Sequence, residues 1–154
     1  MKKLHGKLVT LGLLGVLTVS ILFGSVAARA DVVLDWNTIA VNTAVANHQN
    51  PFAQARYAAI VQLAVFEAVN AITGEYQPYR GTITAPQGAS PEAAAIEAAY
   101  QVLSTYFQAS QTSLYADRIN SLASIPDSQA KTDGIATGDA AALAIISLRA
   151  NDGS

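Results

Sequence analysis

The chain has 154 residues, 51% hydrophobic and only 13% charged, which excludes a disordered polymer and allows one domain of ordinary size. Nine Lys and Arg stand against eleven Asp and Glu, a net charge of −2, so there is no basic excess to hold nucleic acid. Cys is absent, which excludes disulfides and thiolate metal sites.

Lys2, Lys3 and Lys7 open the chain, Leu8 to Phe23 is an apolar run, and Ala28-Arg29-Ala30 is a small-x-small site. That three-part order reads as a secretory signal peptide over residues 1–30, cleaved near Ala30. A permanent anchor is the rival, but Gly12, Gly15, Thr18 and Ser20 weaken a run already short for a span of roughly 20 residues. No stable membrane span is expected after cleavage, and the protein is expected to be exported, periplasmic or extracellular. Four of the cations lie in this segment. Residues 31–154 keep five Lys and Arg against eleven acids, a net charge of −6 that favours solubility.

From Asp31 to Asn47 the spacing predicts a first helix, with Asp35 as N-cap. Trp36, Ile39, Ala40 and Thr43 mark its inner face, which Val41 and Val45 widen. Trp36 is the only Trp and reads as a core anchor whose N–H finds a carbonyl. His48 is the only His after residue 30; without a second His, a Cys or a spaced carboxylate it reads as a polar linker rather than a base or ligand.

Asn50 and Pro51 then start a helix that runs through Ile72, with Gly74 placed to end it. Its apolar side chains cover most of the circumference, so it is expected at the centre of a bundle. Arg56, Glu67 and Asn70 share one narrow stripe. Glu67 and Asn70 are neighbours, whereas Arg56 lies roughly 16 Å away along the axis. A carboxylate beside an amide could be half of an acid/base pair, but the partner is missing. Polar groups on a buried helix more commonly bond a loop or a helix end.

Gly74 to Ser90 has two prolines and no helical period and reads as a connection, with Tyr76 and Tyr79 folded back over the bundle. Arg80 is a weak anion-binding candidate. Ser90-Pro91-Glu92 starts a third helix: cap, first-turn proline and an acid at the positive end. Ile96, Ala99, Tyr100, Leu103, Tyr106 and Phe107 give its core face, with Glu92, Glu97, Gln101, Ser104 and Gln108 elsewhere. A fourth helix is expected over Gln111–Ala123, with Tyr115, Ile119 and Leu122 inward and Asp117 and Arg118 in water. Ile125-Pro126-Asp127 breaks it. Asp127 or Ser128 caps a fifth helix to about Arg149. Its Gly134, Gly138 and Ala142, one turn apart each, form a small-residue ridge for another helix to approach. Residues 149–154 read as the start of a further loop.

Four stretches together resemble the N-terminal helical part of bacterial vanadium-dependent haloperoxidase-like proteins, in the type 2 phosphatidic acid phosphatase superfamily. They are DVVLDWNTIAV at 31–41, ARYAAIVQLAVFEAVNAI at 55–72 with the YQPY that follows, SPEAAAIEAAYQVL at 90–103 and IPDSQAKTDGIATGDAAALAIISLRANDG at 125–153. The resemblance implies an enzyme that oxidises halide with peroxide through bound vanadate or, alternatively, hydrolyses phosphate monoesters. The family pocket uses a Lys…Arg-Pro segment, a Pro-Ser-Gly-His segment and a later Arg…His segment, cations and a His that hold an oxyanion. None of the three occurs here, so no catalytic, cofactor-binding or metal residue is assigned, and vanadate is implied only for the full-length relative. The expectation is an all-α bundle of about five helices over residues 31–154, an incomplete domain, inactive alone and able to self-associate through exposed apolar faces. The alternative of another class is a stand-alone exported helical module that binds a partner.

Overall fold

The computed structural model describes residues 24–81, 83–150 and 152, with side chains from Val32 on. Five helices make up the architecture: α1 (Gly24–Ala46), α2 (Pro51–Thr73), α3 (Pro91–Tyr106), α4 (Gln111–Ala123) and α5 (Gln129–Arg149). A 3-10 turn at Gln108–Ser110 joins α3 to α4. The described residues are therefore all-α. Residues 1–23 of the expected signal peptide lie outside them.

Cap chemistry sets the boundaries as the sequence predicts. The Asn50 side chain accepts the Ala53 N–H ahead of Pro51, and Gly74 ends α2 at φ +64°. Ser90 caps α3, and Ser128, rather than Asp127, caps α5 through the Lys131 N–H. The first helix differs. It begins at Gly24, so Asp35 lies exposed in its interior instead of at its start, and the Ala28-Arg29-Ala30 site falls within it. Residues 25–34 contain no Gly or Pro, so nothing stops the helix from starting early. Its buried face is Trp36, Ala40, Thr43 and Ala44, while Val41 and Val45 turn outward, about half a turn away.

His48 closes α1. It sits in the left-handed region at φ +57°. Its N–H donates to the Val45 carbonyl and the Gln49 N–H to the Ala44 carbonyl, the paired bonds of a helix-terminating motif that usually has Gly at this place. The linker reading of His48 is right in position, and the residue has a sharper task than a linker needs.

The centre of the bundle is α3, not α2. It packs against α1, α2, α4 and α5. The seven consecutive residues from Ala93 to Ala99, Ile96 and Glu97 among them, are all buried. Alanine makes this arrangement work, because a helix with small side chains all round lets neighbours approach on every side. By contrast α2 packs against three helices, α1, α3 and α5, and leaves Phe52 exposed.

Side-chain pairs fix the directions. Gln62 meets Asn37, and Tyr57 stacks edge-on to Phe107 at 4.7 Å, so α2 runs opposite to α1 and α3. Arg56 at the start of α2 reaches Asp152 beyond the end of α5. Gly134 and Gly138 face Ser90–Ala93 and Ala94–Ala98 in the same order, so α3 and α5 are parallel. The pairs Arg118–Glu97 and Tyr115–Tyr100 set α4 antiparallel to α3.

The glycine ridge on α5 is used as the sequence predicts. A Cβ on Gly134 would collide with the Ser90 carbonyl, and one on Gly138 with the Ala94 carbonyl and, at 2.8 Å, with Glu97 Cβ. The Ser90 N–H also donates to the Ala130 carbonyl at 2.8 Å, a backbone bond between the two helix starts. On α4 the inner residues are Leu114 and Leu122, whereas Tyr115 and Ile119 are exposed. The helix turns toward α3 by the Arg118 side, which draws the arginine inward.

Candidate functional site

Two buried carboxylates stand out, Glu67 on α2 and Glu97 on α3, each about 2% exposed. A carboxylate in the interior must be compensated by charge or hydrogen bonds. The two are compensated differently.

Glu97 meets the Arg118 guanidinium, with Nε 2.6 Å from Oε2, and accepts Gln101 Nε2 at 3.0 Å on Oε1. Arg118 also lies over the Tyr100 ring at 5.3 Å, and Tyr100 packs against Tyr115. Both expectations for this pair are corrected: Glu97 is inside the core, and Arg118 is largely withdrawn from water. Period alone placed them on polar faces, and only their position between α3 and α4 makes them partners.

Glu67 accepts the Arg80 backbone N–H at 2.7 Å on Oε1. One turn on, Asn70 clamps Tyr76 from both sides: Nδ2 donates to the Tyr76 carbonyl at 2.8 Å, and Oδ1 accepts the Tyr76 N–H at 2.8 Å. The stripe therefore does hold a loop, as its structural reading states. Arg56, the third member, is apart from both and pairs with Asp152 at 3.3 Å. The loop is pinned by its backbone; the Tyr76 ring folds back to 6.4 Å from Phe66 on α2, yet it and the Tyr79 ring remain largely exposed.

Under this loop lies a half-open cavity of about 330 Å³. Glu67, Asn70, Tyr76, Pro78, Gly81 and Ile83 are among its walls. A second hollow of about 240 Å³, mainly apolar, runs between Val33 on α1 and Val65, Phe66 and Val69 on α2.

Trp36 is buried as the core anchor, but its N–H has no acceptor among the described residues, contrary to the expected carbonyl. The neighbouring helix backbones already use their carbonyls in their own ladders. Lys131, the one Lys after residue 30, donates to the Ile125 carbonyl and to Asp127 at 2.8 Å. The hydrogen bond from Lys131, and then its charge, holds the Asp127 carboxyl below the usual carboxylate range. Burial pushes the Tyr106 hydroxyl up, against the opposing pull of Arg56.

A vanadate pocket needs several cations and N–H donors converging on one point. Arg118 and Lys131 pair with Glu97 and Asp127 at separate places on α4 and α5, and the two arginines that do converge, Arg56 and Arg149, meet on the carboxylate of Asp152, which repels an oxyanion. The described residues of this chain therefore do not fit that group. Among them, no three His, Cys, Asp or Glu side chains gather at metal-ligating range. By length and composition α2 is apolar enough to cross a membrane; in this fold it packs against α1, α3 and α5. No family model, no curated protein and no solved structure matches the chain.

Proposed function

We propose that residues 31–154 are the exported helical scaffold of a vanadium-dependent haloperoxidase-like protein, with the oxyanion pocket supplied by residues other than these. The observation that carries this reading is where the resembling stretches fall. Each of the four supplies packing parts of one core: Trp36 on α1, the Ile60–Asn70 face of α2, the capped alanine start of α3 and the glycine ridge of α5. In a scaffold, charged side chains pair internally, and here Glu97, Arg118, Asp127 and Lys131 do so. Further support is apolar surface suited to more protein: Leu34, Val41 and Val45 line one outer stripe of α1, and Phe52 and Leu143 are exposed.

An acid phosphatase of the same superfamily would use the same scaffold. A partner-binding module of another class draws on the same exposed α1 stripe.

The test is to read the source DNA beyond the Ser154 codon and assay the full gene product. Continuation into Arg-Pro, Pro-Ser-Gly-His and Arg…His segments, with vanadate-dependent oxidation of bromide by peroxide, would sustain the proposal. Phosphate-ester hydrolysis without halide oxidation would select the phosphatase. A stop codon at that place would end both enzymatic readings and leave the binding module.

A further inference from the structure

We propose that the cavity beneath the 74–90 loop is a binding site for a primary ammonium group carried on a short aliphatic stem, with Glu67 as its anion. The argument begins with the unused half of the carboxylate. Arg80 N–H occupies Oε1 of Glu67, and the second oxygen has no hydrogen-bond partner among the described residues. It is also not sealed in: among the described residues the buried side-chain polar atoms without a partner are Trp36 Nε1, Ser104 Oγ and Arg149 Nε, and neither oxygen of Glu67 is one of them. The residue as a whole is 2% exposed and lines the cavity, so this oxygen opens into it.

The surroundings select the ligand. Asn70 is held in place by Tyr76, which takes one N–H of its amide and donates to its oxygen, so the full charge in the cavity wall is that of Glu67. Ala71, Pro78 and Ile83 give the walls an apolar character suited to methylene groups. A guanidinium binds best through two parallel bonds to both carboxylate oxygens, and one of these is already occupied. An ammonium is a point charge that needs one acceptor. A cavity of about 330 Å³ takes a ligand of a few heavy atoms. The ammonium can belong to a free small amine or to a lysine side chain on a protein.

The experiment titrates the ¹⁵N-labelled full chain with n-butylammonium chloride and follows the amide resonances. Three comparisons accompany it: n-butanol, potassium chloride at matched ionic strength, and an acetylated, amidated Ala-Lys-Ala peptide. The expected result is a saturable shift centred on Arg80 and Gly81, with a Kd on the order of 10 mM. Butanol and potassium chloride should leave these amides in place. Glu67→Gln keeps an oxygen for the Arg80 N–H and removes the charge, so it should weaken butylammonium about tenfold. A response to the peptide as well would place the natural ammonium on a protein; a response to butylammonium alone would make it a free amine. Equal shifts with butanol, or no saturable shift at all, would overturn the proposal, and both readouts use the unaltered protein should the variant fail to fold.

Discussion

Along the α3–α5 seam, glycine and alanine bring two helix backbones together until no Cβ fits at Gly134 or Gly138. At the far end of α2, side chains reach out and grip a loop: Glu67 takes one backbone N–H, and Asn70 takes both polar groups of Tyr76. The first region is held by shape and excludes water. The second is held by directed polar bonds and encloses a cavity. A side chain at Gly134 or Gly138 would have no room, and a small one at Glu67 or Asn70 would have no reach. The one acid the seam admits, Glu97, is matched at once by a guanidinium.

Breaking that match should have the largest effect. Arg118→Met leaves Glu97 buried without its counter-charge and should cost about 3 kcal/mol in urea unfolding, with α4 loosened. Gly138→Ala comes next. In an ordinary helix this change gains roughly 1 kcal/mol; here the new methyl meets the Ala94 carbonyl and Glu97, and a net loss of about 2 kcal/mol is expected. A gain in stability would show that the seam can open, and the contrast drawn above would fall. Asn70→Ala should cost about 1.5 kcal/mol, with faster hydrogen exchange at the Tyr76 amide and none at the seam, because the exposed loop can turn to water.

Acid should act least, at the entry to α5. The Asp127 carboxyl titrates lower in the fold than in the unfolded chain. Its pairing with Lys131 therefore stabilises above the unfolded value and is lost as pH falls through the folded one. The melting-temperature difference between the wild type and Asp127→Asn should shrink from about pH 6 to about pH 3. A constant difference over that range would assign the pair no part in holding α5.

What was legible in the chain were features with local causes. Asn50, Ser90 and Ser128 cap because their side chains reach an N–H three residues on, and Gly74 ends α2 because it tolerates a left-handed backbone. The Gly134–Gly138 spacing announced a close approach. Features with distant causes were not legible. The centrality of α3 was missed because alanine carries little hydrophobic signal, even when its smallness is what four neighbours require. Glu97 and Arg118 are 21 residues apart and recognise each other only across two helices. Glu67 and Asn70 were visible as a polar stripe, but their targets, backbone groups at 76 and 80, carry no residue signature. The left-handed conformation of His48 was missed because glycine is the usual signal for it, although histidine is among the few other residues enriched there.

The parallel direction of α3 and α5 has a kinetic consequence. Two parallel helices cannot be joined by a tight turn, so the chain must travel back along α4 before α5 can begin. The backbone bond from Ser90 to Ala130 thus closes a loop of about 40 residues, and joining such ends costs roughly 3 kcal/mol of chain entropy before any contact is gained. Contacts that form after that cost tend to be absent from the folding transition state. The seam then acts as a latch that shuts late: a substitution at Gly138 should leave the folding rate nearly unchanged and appear almost wholly as faster unfolding.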